Sequence, residues 1–575
     1  MDKREIVHLL EQIAAFLELK GDNVFRIRAY HNAARAIAHF SGDIDKALES
    51  GELAQVSGVG AGTLEIVREA LQTGRVQTLE SLREEIPPGL VEMLKISGLG
   101  VAKVQQIHQT LGITTLAELE EAARDGRLAK LPRFGQRTAQ KILRGLQFLQ
   151  EVAEYKLFHH AKAEADRLAL AIADLPGVAG VAVAGSVRRS REVIRDLDFV
   201  VAVDDRSEEL GRRLGTLVGV AEFVGTAPGE FSLRFASDTM ADVYACRPND
   251  FGFTLVRATG SQEHVNGLMQ RAEALGMSWT DRGLIRDGAP VPAPDEHDVY
   301  RALEMQFIPP ELRENTGEID AAIEQRLPHL LSVSDLRGFL HCHSNYSDGT
   351  STVRDWAVAA REGGYEYIGI TDHSAAATYA GGLYTEAIGR QHVEIDAVNA
   401  EFADVRVLKG VEVDILESGT LDYDDETRAR FDFLIASVHN GFGQDRDAMT
   451  ARILKAMDDP HMGILGHPTG RLLLSRNAYP IDLEAVFDKA AAVGIAIEIN
   501  ADPQRLDLDW RSVREATNRG VTISIGADAH STGGMGNMSL GVGIGRKGWL
   551  TADQVLNARP LEKFLEHVAA RRQRG

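Results

Sequence analysis

The run Leu336-Arg-Gly-Phe-Leu-His-Cys-His343 is an apolar stretch closed by two histidines, and its pattern returns six times downstream: YEYIGITDH at 365–373, VRVLKGVEVD at 405–414, FDFLIASVH at 431–439, MGILGHP at 462–468, IAIEIN at 495–500 and VTISIGADAH at 521–530. Amphipathic, helix-like segments separate these runs. Apolar strands alternating with helices predict a parallel sheet, open or closed into a barrel. Nearly every run ends in residues able to ligate a metal: His341, His343 and soon after Asp348, then His373, Glu412, His439, His467, Asp528 and His530. In a βα barrel the C-terminal strand ends converge on one rim, so these residues are expected to face a common cleft. A single histidine is more often a packed side chain than a ligand; six at successive strand ends are not explained that way. Imidazole with carboxylate suits zinc, manganese or iron, and bridging carboxylates suit a centre of two or three ions. Such a centre activates water against a phosphodiester and stabilises the leaving oxygen, which points to phosphoester hydrolysis. Asp372, Asp414 and Asp502 read as residues that orient a histidine or cap a turn.

The whole chain has 575 residues, enough for three to five domains rather than one core. It is 44% hydrophobic and 26% charged, without an apolar stretch near the roughly 18 residues that span a bilayer, which excludes a membrane protein. The first residues, MDKREIVHLLEQIAAFLELKGDN, lack the apolar core and cleavage site of a signal peptide, so a cytoplasmic protein is expected. Only Cys246 and Cys342 are present, too few for a disulfide framework or a cysteine-rich zinc site. The formal charge of −21 would repel nucleic acid if spread evenly, but not if the acid is gathered in metal-binding carboxylates while backbone amides and a few arginines meet phosphate.

Upstream of 335 two other textures appear. Residues 178–246 carry short β-branched runs, and Gly185-Ser-Val-Arg-Arg is followed by Asp196-Leu-Asp198, whose aspartates share one face of a strand. With Asp242 from a neighbouring strand they would form a triad for two magnesium ions and in-line phosphoryl transfer. The Gly185 turn, Ser186 and Arg189 would hold a triphosphate. Residues 1–150 read as short helices with a repeated glycine turn: Gly58-Val-Gly60, Gly98-Leu-Gly100 and a weaker copy at Leu131-Pro-Arg-Phe-Gly-Gln-Arg137. Turn amides opening a helix point at a backbone phosphate and need no base readout.

The C-terminal motifs resemble those of the PHP (polymerase and histidinol phosphatase) family, and residues 1–315 resemble the family X, polymerase beta-like DNA polymerases. The implied fold is multidomain: all-α helix-hairpin-helix domains at 1–80 and 81–150, an α+β nucleotidyltransferase palm at 151–245, a thumb at 246–315, a linker at 316–335 and a distorted α/β (βα) barrel of PHP type at 336–575. The resemblance implies a trinuclear PHP site, with His341, His343, Glu412 and Asp528 sharing one ion, Asp348, His373 and His467 a second, and His439, His530 and bridging Glu412 a third. It implies manganese or zinc there and magnesium or manganese in the palm. Thr259-Gly260-Ser261 resembles the family's thumb turn at the nucleotide. Phe25–Arg35 resembles the helix that binds the 5′ phosphate of a gap, making Arg26, Arg28 and Arg35 candidate DNA contacts.

Four departures qualify this likeness. Arg195 stands where a glycine is usual before the first aspartate, Arg257-Ala258 replaces a Tyr-Phe sugar gate, and Met240 replaces a frequent arginine. Ile66 and Gly62 occupy the positions of the lysines used for deoxyribose-phosphate lyase chemistry, so no Schiff-base activity is expected. The reading is a monomeric DNA repair enzyme acting on gapped or nicked duplex with a 5′ phosphate and on deoxynucleoside triphosphates. It would fill gaps, trim 3′ ends and cut at abasic sites. Its rivals are a PHP nuclease or small-molecule phosphatase on a weakened polymerase scaffold, and a gap-binding scaffold with both sites spent.

Overall fold

In the computed structural model, residues 3–38, 44–56, 58–96, 98–203, 208–227, 229–236, 238–281 and 283–573 are described. Among the described residues before 153 the only regular elements are helices, and one apolar core running from Ile6 to Leu146 unites both helical segments that the sequence separated at 80. Each glycine turn opens a helix: Gly60 caps Ala61–Thr73, Gly100 caps Val101–Leu111 and Gly135 caps Gln136–Val152. Gly112, in the left-handed region, ends the second of these, as glycine does where a helix must stop without a Cβ penalty.

The palm is a five-stranded sheet over a core from Phe158 to Ala245. Its strands are β1 (Val178–Val183), β2 (Asp196–Val203), β3 (Val220–Ala227), β4 (Glu230–Phe235) and β5 (Met240–Cys246), in the order β1-β2-β5-β4-β3. Only β2 and β5 run parallel, placing Asp198 directly opposite Asp242. The thumb follows, with helices Phe251–Thr259, Gln262–Ala274 and Glu296–Ala302 beside a three-stranded sheet.

Residues after 337 close into a barrel of parallel strands: β6 (Gly338–Cys342), β7 (Tyr367–Ile370), β8 (Arg406–Asp414), β9 (Phe433–Ser437), β10 (Met462–Leu465), β11 (Ala496–Asn500) and β12 (Ile523–Ala529). β12 pairs with β6 and completes the ring. The lower interior is filled by Leu340, Tyr367, Leu408, Phe433 and Ile464, and Phe564 of the last helix plugs that end. The opposite end is left to polar side chains. The segment 316–335, expected as a linker, is instead packed: it forms the helix Glu318–Ile323, with Ala322 and Leu330 in the thumb core and Leu331 in the barrel core. Its leucines and alanines bury apolar surface that a free linker would leave in water. Among the described residues no helix is long and apolar enough to cross a membrane.

Candidate functional site

The upper rim of the barrel gathers the ends of its strands. Around His341 the pairing of β6 with both neighbours shifts register, a bulge that re-aims the side chains there. His341, His467 and Asp528 have φ of 62°, 24° and 50°, a region that residues other than glycine enter at a cost and that clusters at functional sites. All nine rim candidates come together. His343 Nε2 lies 3.1 Å from Asp528 Oδ1, and His439 Nε2 and His467 Nε2 lie 3.1 and 3.0 Å from Glu412 Oε1. His530 Nε2 is 3.2 Å from Asp348 Oδ2 and His373 Nε2 is 3.7 Å from Asp348 Oδ1.

Ligand atoms within 4.8 Å of one another form three overlapping sets: His343, Asp348, His373 and His530; His341, His343 and Asp528; and His373, Glu412 and His439. These distances differ from the partition that the resemblance implies. His530 sits with Asp348 and His373, whereas His467 sits with Glu412 and His439, because β10 lies next to β9 in the barrel while β12 lies next to β6.

Charge explains why such a cluster wants cations. Burial alone would lower the imidazoles of His341 and His439, yet Glu498, Asp528 and Glu412 hold His341 well above its usual range, and Glu412 with Asp414 raises His439 to about 10. Burial, His530 and His373 push His343 down to about 3. Burial opposes ionisation of Glu412 and Asp528, but the imidazoles around them keep both well below the carboxylate range. Carboxylates here are ionised and need positive partners, supplied by protons in the absence of a metal. His341 Nε2, His343 Nδ1 and Glu412 Oε2 are buried without a hydrogen bond. Hard oxygen and imidazole donors with unspent lone pairs fit divalent manganese, zinc or iron.

Three residues around this rim matter although their pattern did not single them out as site residues. Glu498 accepts from His341 Nδ1 at 2.6 Å and from the His467 amide at 2.8 Å. Its only sequence signal is an acid alone in the apolar run IAIEIN. Arg505 lies 3.3 Å from Asp528 Oδ2, a cation beside the rim. Asn500 Nδ2 donates to both Glu498 and Asp528 at 3.2 Å. Asp414 receives His439 Nδ1, Asp372 is held by Ser344, Ser347 and Gln391, and Asp502 accepts the Gln504 amide at 2.8 Å.

In the palm, Asp196, Asp198 and Asp242 lie at the starts of β2 and β5. Burial first, then Asp196 and Asp242, raises Asp198 to about 7, while Arg189 pulls the other way. Ser232 Oγ donates to Asp242 Oδ1 at 2.5 Å. Gly185, at φ 58°, cannot be another residue: a Cβ would fall 1.7 Å from Asp198 Oδ2. The Ser186 hydroxyl is buried without a partner. Arg189 donates from Nε to Glu314 at 3.1 Å and from Nη1 to the Thr259 carbonyl. Thr259 Oγ1 accepts from Arg188 at 2.9 Å, Gly260 has φ 69°, and Ser261 caps the next helix by accepting the His264 amide at 3.2 Å. Of the departures, Arg195 lies 3.4 Å from Asp196 Oδ2, Met240 is exposed, and Arg257 pairs with Glu230 at 3.1 Å over the Tyr244 ring.

The hairpin turns are far from both centres in sequence and differ from each other. Gly58, at φ 101°, packs against Asn32 and Ala36 of the helix Val24–Ala38, and Gly98, at φ 89°, lies beside Lys141 with Lys103 donating to its carbonyl at 2.7 Å. Arg26 is paired with Asp22 at 3.1 Å, Arg28 is exposed, and the Arg35 side chain lies outside the described residues. Ile66 is buried in the helical core.

Family models match the chain as a helix-hairpin-helix domain at residues 1–76, a SAM-like helix-hairpin-helix tandem at 90–147, a DNA polymerase beta thumb at 254–314 and a PHP domain at 340–502. The DNA polymerase/3'-5' exonuclease PolX of Bacillus subtilis is 36% identical over 573 residues, covering 98% of this chain and 100% of that protein. A probable phosphatase of Thermoanaerobacter sp. is 30% identical over 217 residues, 36% of this chain and 84% of its own length, and a probable phosphatase of Syntrophotalea carbinolica is 28% identical over 245 residues, 40% and 94%.

Proposed function

Because the chain belongs to the family X DNA polymerases that carry a C-terminal PHP domain, we propose that it fills short gaps in DNA and trims 3′ ends, each from its own metal centre. The observation that carries this reading is the presence of two unconnected carboxylate centres: the triad at β2 and β5 and the rim of the barrel. Asp196, Asp198 and Asp242 would hold magnesium or manganese. His341, His343, Asp528 and Glu412 would hold one rim ion, Asp348, His373 and His530 a second, and Glu412, His439 and His467 a third. When bound, such ions polarise phosphate oxygens and make water or a sugar hydroxyl a stronger nucleophile.

The chain's own residues supply the rest. Ser186 and Arg189 face the triphosphate, with Thr259, Gly260 and Ser261 closing the opposite side. Burial and the neighbouring Asp196 and Asp242 hold Asp198 above the usual carboxylate range, so a cation at the triad would displace a proton and its affinity is expected to fall as pH falls. At the rim, Glu498 and Asp414 hold the His341 and His439 rings by their Nδ1 atoms, leaving Nε2 for the centre. Arg505 would take a phosphate oxygen of the scissile bond, and the same centre would cut at abasic sites. Gly58, Gly60, Gly98 and Gly100, with Arg26, Arg28 and Arg35, would grip gapped duplex and its 5′ phosphate. Ile66 and Gly62 offer no amine for Schiff-base lyase chemistry at the positions where relatives carry lysines. Residues 1–150 around their shared core, 151–245, 246–315 and 336–575 would serve as the working domains of a monomer.

The test follows a labelled primer on gapped, 5′-phosphorylated DNA with manganese, with and without deoxynucleotides. Extension lost only in Asp198→Ala and shortening lost only in His343→Ala is the expected result. Shortening without any extension by the wild type would remove the polymerase half of the reading. The likeness of the barrel to probable phosphatases supplies the second arm: a strong preference for p-nitrophenyl phosphate over DNA ends would favour a phosphatase.

A further inference from the structure

Lys547 ends the helix Met538–Lys547 on the outside of the barrel, and its side chain is 0% exposed. The ammonium donates to the main-chain carbonyl of Arg189 at 3.0 Å, pairs with Glu314 Oε1, and lies 4.8 Å from the centre of the Trp510 ring. Glu314 also accepts from Arg189 Nε at 3.1 Å and faces Arg191 at 3.4 Å. Arg189 continues to the Thr259 carbonyl. A single line of contacts therefore runs from the barrel domain, through a carboxylate between the domains, to both walls of the palm's nucleotide pocket.

Stability does not account for this lysine. Burial drives it down to about 8 against the pull of Glu314, and Arg189 and Arg191 add to the lowering. Removing one buried charge is strongly destabilising only where its partner is then left uncompensated. Nor does Glu314 need a third cation, since two arginines already face it. What Lys547 adds is a bond to the Arg189 carbonyl, so that the residue is held by its amide from Gly185, by its carbonyl from the barrel domain and by its side chain from Glu314.

We propose that Lys547 is a positioning residue for the polymerase: the barrel domain, through the Arg189 carbonyl and Glu314, sets Arg189 for binding the triphosphate of the incoming nucleotide. This rests on the assignment of Arg189 to the triphosphate. The nuclease domain is thereby a structural part of the polymerase site, and losing its grip weakens nucleotide binding without touching the rim.

The experiment measures single-nucleotide gap filling, 3′ trimming and thermal melting on the full-length chain for wild type, Lys547→Met, Glu314→Gln and Arg189→Ala. Methionine nearly matches the lysine in volume, and Glu314 keeps Arg189 and Arg191 as its cations. The expected result for Lys547→Met is a KM for deoxynucleotide raised about tenfold, the scale on which supporting residues act. Its kcat is little changed, its trimming is unchanged and its melting temperature is no lower than wild type. Glu314→Gln is expected to raise KM in the same way. A KM raised in Arg189→Ala but unmoved in Lys547→Met would overturn the proposal alone. A lower melting temperature in Lys547→Met with kcat, KM and trimming all impaired would reduce the lysine to a structural role and overturn it as well. A KM unmoved in Arg189→Ala would remove the nucleotide-site assignment and the proposal with it.

Discussion

At the scale of single residues, each centre depends on a contact that spacing along the chain does not show. Gly185 is required because Asp198 leans against its Cα, so Gly185→Ala must push the carboxylate aside. A displacement near 1 Å in a catalytic group costs on the order of 100-fold in rate. Gap filling by Gly185→Ala is expected to fall by about that factor while 3′ trimming is untouched, as read by the primer assay. At the rim, Glu498 holds His341 Nδ1 and the amide of His467. Glu498→Gln is expected to weaken metal binding or trimming by about 10- to 100-fold, measured as the manganese concentration giving half-maximal trimming, with polymerisation unchanged. Normal trimming by Glu498→Gln at low manganese would show that His341 needs no anionic partner.

At the scale of elements, the repeated glycine turns do one geometric job, ending a loop at a helix N-terminus, and two lysines lie against the second of them. Lys103 and Lys141 flank Gly98, where a phosphate held by the turn amides would lie. Each lysine that meets a phosphate releases about one counterion from DNA. Lys141→Ala is accordingly expected to weaken gapped-DNA binding equally across sequences and to shallow the slope of log affinity against log salt by about 1, in fluorescence anisotropy at several salt concentrations. An unchanged slope would place the DNA elsewhere. The barrel strands show the same dependence of function on local geometry: His341 and His343, two residues apart, share a face at the end of β6, where the pairing with both neighbours shifts register.

At the scale of the molecule, the barrel docks on the palm and thumb through charged groups: Lys547 on Glu314 and Arg189, Arg546 on Glu311 at 2.7 Å, and Arg514 on the Thr316 carbonyl. Titration of this junction has a definite sign. Lys547 faces Glu314, Glu311, Arg189 and Arg191, and its folded-state value of about 8 lies below the ordinary 10.5. Between those values the unfolded chain holds a proton that the folded chain has released, so the contribution of Lys547 to stability is lost as pH falls through 8 and gained as pH rises towards 10.5. The unfolding free energy of wild type relative to Lys547→Met is expected to rise between pH 8 and 10, by at most about 1.4 kcal/mol per pH unit. A difference constant over that range, measured by calorimetry, would mean that the lysine keeps its proton in the fold.

Seven apolar runs, six of them closed by histidine or carboxylate, made the barrel and its rim readable from the chain alone, since period and strand-end chemistry are local properties. The Asp-x-Asp pair and the glycine turns were readable for the same reason. What sequence could not reach were relations between distant elements. Strand order in the closed barrel decides that His467 meets Glu412 while His530 meets Asp348. The packing of 316–335 turns an apparent linker into shared core, and one core unites the two helical segments. Glu498 and Lys547 acquire their partners 157 and 358 residues away, and a lone acid or lysine carries no pattern that announces this. Periodicity and side-chain chemistry fix which residues are able to act; which of them touch is fixed by chain closure, because distance in space is set by the fold and not by spacing along the chain.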